Sequence, residues 1–474
     1  MKTLDPHNPL LGGPILSTLL RLSLPNMAAM VATSLVAMAE MSYVGLLGTP
    51  ALAGLTLVFP FSMLQQMMAG GAMGGAVSSS IARALGAADD TRADALGAHA
   101  LIIGCAGGLA MALLMLVFGP SLFALLGGRD AALAEASAYA RVFSFAIVGI
   151  WMTHILASIV RGTGNMRVPS FTMFLVAVAQ IVVGITLGLG LGPFPKLGMA
   201  GVALGQLVSY SAATLFLLGS LLSGRTRLKL RPTHFKPDIA LFGDIFRVGG
   251  LACLSSLQTV ATVLVLTRLV AFFGTVALAG YGIGSRLEFL LIPLAFGLGT
   301  TCLAMVGTAV GANDISRARR VAWTGGLTAA ILLGVLGMLF AVFPNLWSNM
   351  FSNDAAVLES ARIYLVWSGP AYFFYGLGLC LYFASQGAGK VLGPVLAGTI
   401  RLAIVIAGGL WLASQDAPQW TMFVVVAVSL VAYGVLTAGF IWITPWGQRH
   451  TVQPLASPPK NASDDFEPRR SPMG

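Results

Sequence analysis

Long apolar stretches alternate with short polar ones along almost the whole chain. Each of twelve such stretches is long enough to cross about 30 Å of hydrocarbon as an α-helix. They cover residues 15–47, 51–78, 97–118, 131–160, 168–190, 198–222, 240–272, 276–308, 320–343, 356–385, 391–413 and 420–443. Because a backbone in lipid must satisfy its own hydrogen bonds, the pattern predicts an all-α polytopic membrane protein with twelve transmembrane helices.

The composition agrees with this prediction. Of the 474 residues, 57% are hydrophobic and 9% are charged, and the mean hydropathy is +0.86. Soluble domains carry about 25% charged residues. The first segment is too long for a cleaved signal peptide, so we expect it to remain as a helix. The four cysteines lie within apolar segments at unrelated spacings, which predicts neither a disulfide framework nor a metal site.

The net charge of +10 could indicate nucleic-acid binding, but the basic residues are concentrated in particular loops. Loops after odd-numbered segments contain only Arg129 and Lys196, whereas loops after even-numbered segments are rich in Lys and Arg. By the positive-inside rule, the even loops and both termini should face the cytoplasm at a bacterial inner membrane, with no nucleic-acid partner. The polar residues 446–474 are expected to form a disordered cytoplasmic tail.

The second half of the sequence repeats the first. The stretch GTPALAGLTL at 48–57 recurs as GTVALAGYGI at 274–283, and further on Gly86 aligns with Gly311 and Tyr139 with Tyr364. Each repeat contains six helices, so a pseudo-twofold axis along the membrane normal should relate two six-helix bundles. We therefore predict an N-terminal lobe at 1–222, a basic cytoplasmic linker at 223–239 and a C-terminal lobe at 240–445.

Six motifs between residue 20 and about residue 400 point to a known family. They are LRLSLPNMA, AEMSYVGLLGTPALAG, RGTGNMRVP, LGLGPFPKLGMAGVALGQ, SQGAGKVLGP and ALAGYGIGSRLEFLLIPLAFGLGTTCLAMVGTAVGAND. In this order and repeated, they resemble the multidrug and toxic compound extrusion (MATE) family, in particular its DinF-like branch. The resemblance implies a monomeric, cation-coupled antiporter in the lipid bilayer, which exports hydrophobic or amphipathic compounds by alternating access and is not an enzyme.

The resemblance also implies a coupling residue in the first helix. Similar proteins carry an acidic residue there shortly before a Val-Gly pair, and in this chain Glu40 precedes Val44 and Gly45. Glu40 is therefore expected to be the cation-coupling carboxylate. A bend at Pro25 is expected to form part of the switch that follows cation binding.

The fifth and sixth helices depart from the family pattern. DinF-like proteins carry Asn and, four residues later, Asp in the fifth helix, whereas this chain has Gln180 and Gly184. Gln206 stands where a threonine is expected in the sixth helix. Because the second carboxylate is missing, the coupling ion is expected to be a proton, with sodium as the alternative and no cofactor.

Among the acidic residues, only Glu40 and Glu288 lie well inside predicted membrane helices. An ionised carboxylate is costly there, and burial favours its protonated form, which would allow Glu40 to load and release a proton. A structural hydrogen-bonding role is the alternative for Glu40. Glu288 has Arg268, Arg286 and Arg401 as candidate partners, either in a structural ion pair or in the substrate cavity.

Other polar residues in the apolar segments leave alternatives open. Gln65 and Gln66 lie among methionines near the middle of the second segment and are candidates for the cavity or for the packed core. His154 is expected to be a hydrogen-bonded histidine near the interface, and without an acidic neighbour it does not support an intramembrane enzyme. A flippase of a lipid-linked substrate and a non-transporting membrane scaffold remain the alternatives to an antiporter.

Overall fold

The computed structural model describes residues 9–447 except 225, 231 and 416. It confirms the twelve predicted membrane helices, and the described residues contain no strand. The helices are α1 (Ile15–Gly45), α2 (Thr49–Gly86), α3 (Asp90–Leu125), α4 (Asp130–Gly162), α5 (Arg167–Leu189), α6 (Gly198–Leu222), α7 (Ile239–Ala271), α8 (Thr275–Gly311), α9 (Ile315–Val342), α10 (Ala355–Gly387), α11 (Leu392–Ser414) and α12 (Gln419–Ile443). Of the predicted disordered tail, residues 448–474 lie outside the described residues.

Some helices extend beyond their apolar segments. The helix α2 continues to Gly86, and α3 begins at Asp90 rather than near residue 97. These extensions carry polar side chains, so hydropathy alone does not reveal them. The helices α3 and α9, which are equivalent in the repeat, have the same N-terminal cap. Asp89 accepts a hydrogen bond from the backbone N–H of Arg92 at 2.9 Å, and Asp314 accepts one from the backbone N–H of Arg317 at 2.8 Å. Each cap satisfies an amide that the first helical turn leaves unpaired.

Equivalent helices pack in the same way in the two halves. In the first half α1 packs on α5, α5 on α6, α4 on α6, α3 on α4 and α2 on α4. In the second half α7 packs on α11, α11 on α12, α10 on α12, α9 on α10 and α8 on α10. The sequence repeat therefore corresponds to two six-helix bundles of one design.

Contacts between the lobes involve α1 with α8 and, in the equivalent position, α7 with α2. Next to Pro25, the side-chain amide of Asn26 donates to the hydroxyl of Thr300 at 2.6 Å and to the carbonyl of Gly297 at 3.3 Å. The helix α1 continues through Pro25, so the role of Pro25 in helix bending stays a prediction.

The lobes also meet at the end of the bundle where residues 223–238 connect them, which we call the linker end. Asp244 of α7 accepts hydrogen bonds from Arg83 at 3.3 Å and from Arg92 at 3.1 Å. The pseudo-equivalent glycines Gly86 and Gly311 approach the opposite helix so closely that an added β-carbon would overlap the backbone carbonyl of Thr308 or Arg83. These contacts hold the lobes together at the linker end.

A π-helical segment, Met67–Met73, interrupts α2 before it reaches the linker end. The side-chain amide of Gln386 in α10 donates to the carbonyl oxygens of Gly71 and Ala72 at 3.1 and 2.9 Å. The hydroxyl of Ser79 in turn donates to the carbonyl of Gln386 at 2.6 Å. Since π-helical turns disturb the regular backbone ladder, a side chain from the other lobe supplies the partner of these carbonyls.

Candidate functional site

A cavity of about 840 Å³ lies between the two lobes. It reaches His154 and Arg161, close to the linker end of α4, and Met350 and Phe351 near the opposite end of the bundle. The lobe contacts described above close it at the linker end. The polar and charged residues of its lining include Glu40, Gln66, Tyr139, Gln180, Gln206, Gln258, Arg286 and Arg401.

Glu40 lies on the N-terminal side of this cavity and is 6% exposed. Its Oε1 accepts a hydrogen bond from the hydroxyl of Tyr139 at 3.0 Å, and its Oε2 accepts one from the side-chain amide of Gln180 at 3.4 Å. The amide of Gln206 donates to the hydroxyl of Tyr139 at 2.7 Å. The three predicted coupling residues therefore lie together, with Gln206 one hydrogen bond removed from the carboxylate.

Tyr43 occupies the space beside the position where the fifth helix lacks a second acid. A β-carbon added to Gly184 would lie 2.6 Å from the hydroxyl oxygen of Tyr43. An aspartate at 184 would therefore require Tyr43 to move. The hydroxyl of Tyr43 is buried and has no hydrogen-bond partner in the described part of the chain.

The two lobes share a tyrosine–carboxylate contact that the sequence analysis missed. Tyr364, the repeat equivalent of Tyr139, donates to Glu288 at 2.6 Å, and Tyr372 donates to the same oxygen at 3.4 Å. The carboxylates themselves are not equivalent, because Glu40 belongs to α1 and Glu288 to α8. The alignment of Tyr139 with Tyr364 in the sequence is the signal that could have indicated both contacts.

The expected ion pair of Glu288 with an arginine is not what the structure shows. Among the described residues, no ion pair includes Glu288, and the two tyrosines satisfy its carboxylate instead. Arg268 lies over Phe272, the residue that follows the last residue of its helix, whereas Arg286 and Arg401 line the cavity. Glu288 is not among the lining residues, so its placement as a cavity candidate is corrected.

Two further expectations for polar residues are resolved by packing. Gln66 lines the cavity, but Gln65 does not, because its side-chain oxygen accepts a hydrogen bond from the indole of Trp151 at 2.8 Å. His154 lines the cavity and neither ring nitrogen has a hydrogen-bond partner within the described ranges. His154 therefore lies near the linker end of α4, as expected, but without the expected hydrogen bond.

Comparison with known proteins identifies the family. The family model described as MatE matches residues 25–186 and 252–411, which together make up more than half of the chain and include both repeats. The chain belongs to the MATE family of transporters. Its twelve membrane helices and its relatives among bacterial MATE proteins agree with a multi-pass protein of the inner membrane.

This MATE protein has relatives with different named activities. It is 27% identical over 383 residues to the FAD transporter of Shewanella oneidensis, covering 80% of this chain and 83% of the relative. It is 25% identical over 395 residues to the multidrug export protein MepA of Staphylococcus aureus strain COL, covering 83% and 86% of the two chains.

The MATE fold is confirmed by solved structures. A transporter of the MOP superfamily from Pyrococcus furiosus aligns with a TM-score of 0.85 at 23% identity, covering 92% of this chain and 96% of the other. A multidrug resistance MATE transporter in an outward-facing conformation aligns with a TM-score of 0.83 at 23% identity, covering 91% and 96%. The branch of the MATE family to which this chain belongs stays a prediction.

Tyr139→Phe is expected to lower export several-fold. The substitution removes the hydroxyl between Glu40 and Gln206, and leaving a buried amide without its partner costs about 1–3 kcal/mol. Export of a fluorescent dye from cells, normalised to the amount of folded protein, measures the effect. The repeat-matched control Tyr364→Phe should keep normalised export near wild type, and an equal loss in both variants would contradict a specific role for Tyr139.

Proposed function

We propose that this MATE transporter is a proton-coupled antiporter that exports amphipathic compounds by alternating access. The observation that carries the proposal is the position of Glu40. It is the only acidic residue among the described lining of the cavity, and it is buried on the N-terminal side of that cavity, bonded to Tyr139 and Gln180 rather than to an arginine. Ionisable groups inside membrane proteins are costly, and those that face a cavity commonly serve transport.

The surroundings of Glu40 favour a proton over a sodium ion. Tyr139 and Gln180 both direct hydrogen-bond donors at the carboxylate, and donors compete with a bound cation for the same oxygen atoms. A single carboxylate among neutral groups matches the uptake of one proton.

The closed linker end supports alternating access. By the positive-inside rule this end faces the cytoplasm, so the conformation described here corresponds to a state closed to the cytoplasm. The pairs Asp244 with Arg83 and Gln386 with Gly71 must separate before cargo enters from that side. A proton drives this exchange only if it binds the two states with different affinities.

The test is transport by purified protein in liposomes under imposed ion gradients. We expect a proton gradient alone to drive accumulation of dye against its concentration gradient, and a sodium gradient at equal pH to drive none. A proton–potassium exchanger that collapses the pH gradient should abolish transport. Transport driven by sodium alone would contradict proton coupling, and no gradient-driven transport of either a cationic or an anionic dye would contradict antiport.

A further inference from the structure

The charged residues that line the cavity are mainly positive. They are Arg161, Arg286 and Arg401 against the single carboxylate of Glu40. None of the four takes part in an ion pair within the described ranges. Fixed charges of one sign in a cleft with low-dielectric walls create a strong local potential, so this cavity attracts anions and repels cations.

Arg401 is held in a position to bind a ligand. Its guanidinium lies over the rings of Tyr375 and Tyr433, with its carbon 5.0 and 5.9 Å from the ring centroids. Its Nε is buried and has no hydrogen-bond partner among the described residues. Stacking fixes the plane of a guanidinium, and the N–H of the unpartnered Nε can donate to a carboxylate or phosphate oxygen of a ligand.

Two further arginines extend the positive surface along the cavity. Arg286 lies over the ring of Phe351, with its guanidinium carbon 5.0 Å from the ring centroid. Arg161, closest to the linker end, is 3% exposed, and its Nε and Nη2 have no hydrogen-bond partner in the described part of the chain. Buried N–H groups without partners are costly, so Arg161 is arranged for a ligand that supplies acceptors.

The rest of the lining offers aromatic rings from both lobes. Phe59 of α2 and Phe289 of α8 meet edge to face across the lobes, with ring centroids 6.0 Å apart. Phe296, Trp347 and Tyr382 add further rings on the C-terminal side. Ring pairs of this kind stabilise by more than their buried area alone, so the lining favours a flat aromatic group over an aliphatic one.

We propose that the cargo is a flat aromatic compound that carries a negatively charged phosphate or carboxylate group. Arg401 is its principal anion ligand, Arg286 is the second, and the aromatic lining holds the ring system. The inference rests on the proposed function in one respect, namely that this cavity is where cargo binds. It adds the sign of the cargo's charge, which distinguishes this cavity from one built for organic cations.

Binding of two flavins to the purified protein in lipid nanodiscs tests the inference without any ion gradient. Flavin mononucleotide and riboflavin share a ring system and differ by one phosphate, so their affinity ratio isolates the anion site. Wild-type protein should bind flavin mononucleotide at least about tenfold more tightly than riboflavin, as expected for charge-assisted hydrogen bonds. Arg401→Gln should remove most of this preference, and Arg286→Gln part of it.

Matched controls separate charge from folding. Arg268→Gln removes an arginine of the same lobe that does not line the cavity, and it should leave both affinities unchanged. Arg401→Lys keeps the charge without the planar fork and should retain part of the preference. If Arg401→Gln does not fold, the comparison of the two flavins on wild-type protein still decides the question.

Three outcomes would overturn the inference. The first is equal affinity for the two flavins. The second is tighter binding of the cationic dye rhodamine 6G than of flavin mononucleotide. The third is tighter binding of farnesyl diphosphate than of flavin mononucleotide, which would indicate a lipid-linked cargo. The result is independent of the transport test. Selective binding of the phosphorylated flavin without gradient-driven transport would overturn antiport alone, whereas driven transport of a cationic dye with no flavin preference would overturn the anion site alone.

Discussion

Glu40→Gln is expected to reduce gradient-driven export to background while cargo still binds. Glutamine keeps the size and one oxygen of the side chain, so Tyr139 retains an acceptor, but an amide does not take up a proton in the physiological range. The variant therefore cannot use a proton gradient to change its preferred state. Dye transport in liposomes under a proton gradient measures the loss, and dye or flavin binding in nanodiscs shows that the cavity is intact.

The matched control is Glu288→Gln. Glu288 is the other carboxylate bonded to a repeat-equivalent tyrosine, yet it is not part of the described cavity lining. We expect this variant to retain export within about twofold of wild type, since glutamine keeps an oxygen that accepts from Tyr364 and the side chain does not line the cavity. Wild-type export by Glu40→Gln, or an equal loss in both variants, would remove Glu40 from the coupling mechanism.

Gly86→Val and Gly311→Val are expected to open the linker end and abolish export. At both positions even a β-carbon would overlap a backbone carbonyl of the opposite lobe. A helix backbone cannot yield as a side chain can, and overpacking costs about 1–3 kcal/mol, which shifts an equilibrium between two states by roughly 5- to 150-fold. Because both glycines meet the other lobe, the strain is relieved when the lobes separate.

Cysteine labelling measures this opening. Ala76 of α2 is buried, does not line the cavity and lies beside Gly249 of α7, so a cysteine at 76 reports separation of the lobes. In a background without the native cysteines, a soluble maleimide should label Ala76→Cys at least several-fold faster when Gly86→Val is present. Gly250→Val is the control, since nothing lies within 4 Å of its added β-carbon. An unchanged labelling rate in Gly86→Val would contradict the view that the Gly86 contact keeps the linker end closed.

Hydropathy predicted the twelve membrane helices but not the polar extensions of α2 and α3, and the internal repeat predicted the matching helix packing of the two six-helix bundles. The partners of the buried charges could not be predicted, because they depend on how each helix is rotated about its axis. Tyr139 reaches Glu40 across 99 residues of sequence. Likewise, opposite charge pointed to an arginine for Glu288, but neutral hydroxyl groups satisfy it, which leaves Arg401 available to the cavity.

The amide of Gln386, bonded to two carbonyls of the π-helical segment, has a consequence for how the transporter changes state. When the lobes part, the amide and both carbonyls lose their partners at once, and in a dry interface each would remain uncompensated. Water must therefore enter the contact between Gln386 and the π-helical segment when the two lobes separate. A small apolar molecule bound between Gln386 and the π-helical segment would keep water out and hold the linker end closed. Such a molecule would inhibit transport without contacting the cargo site.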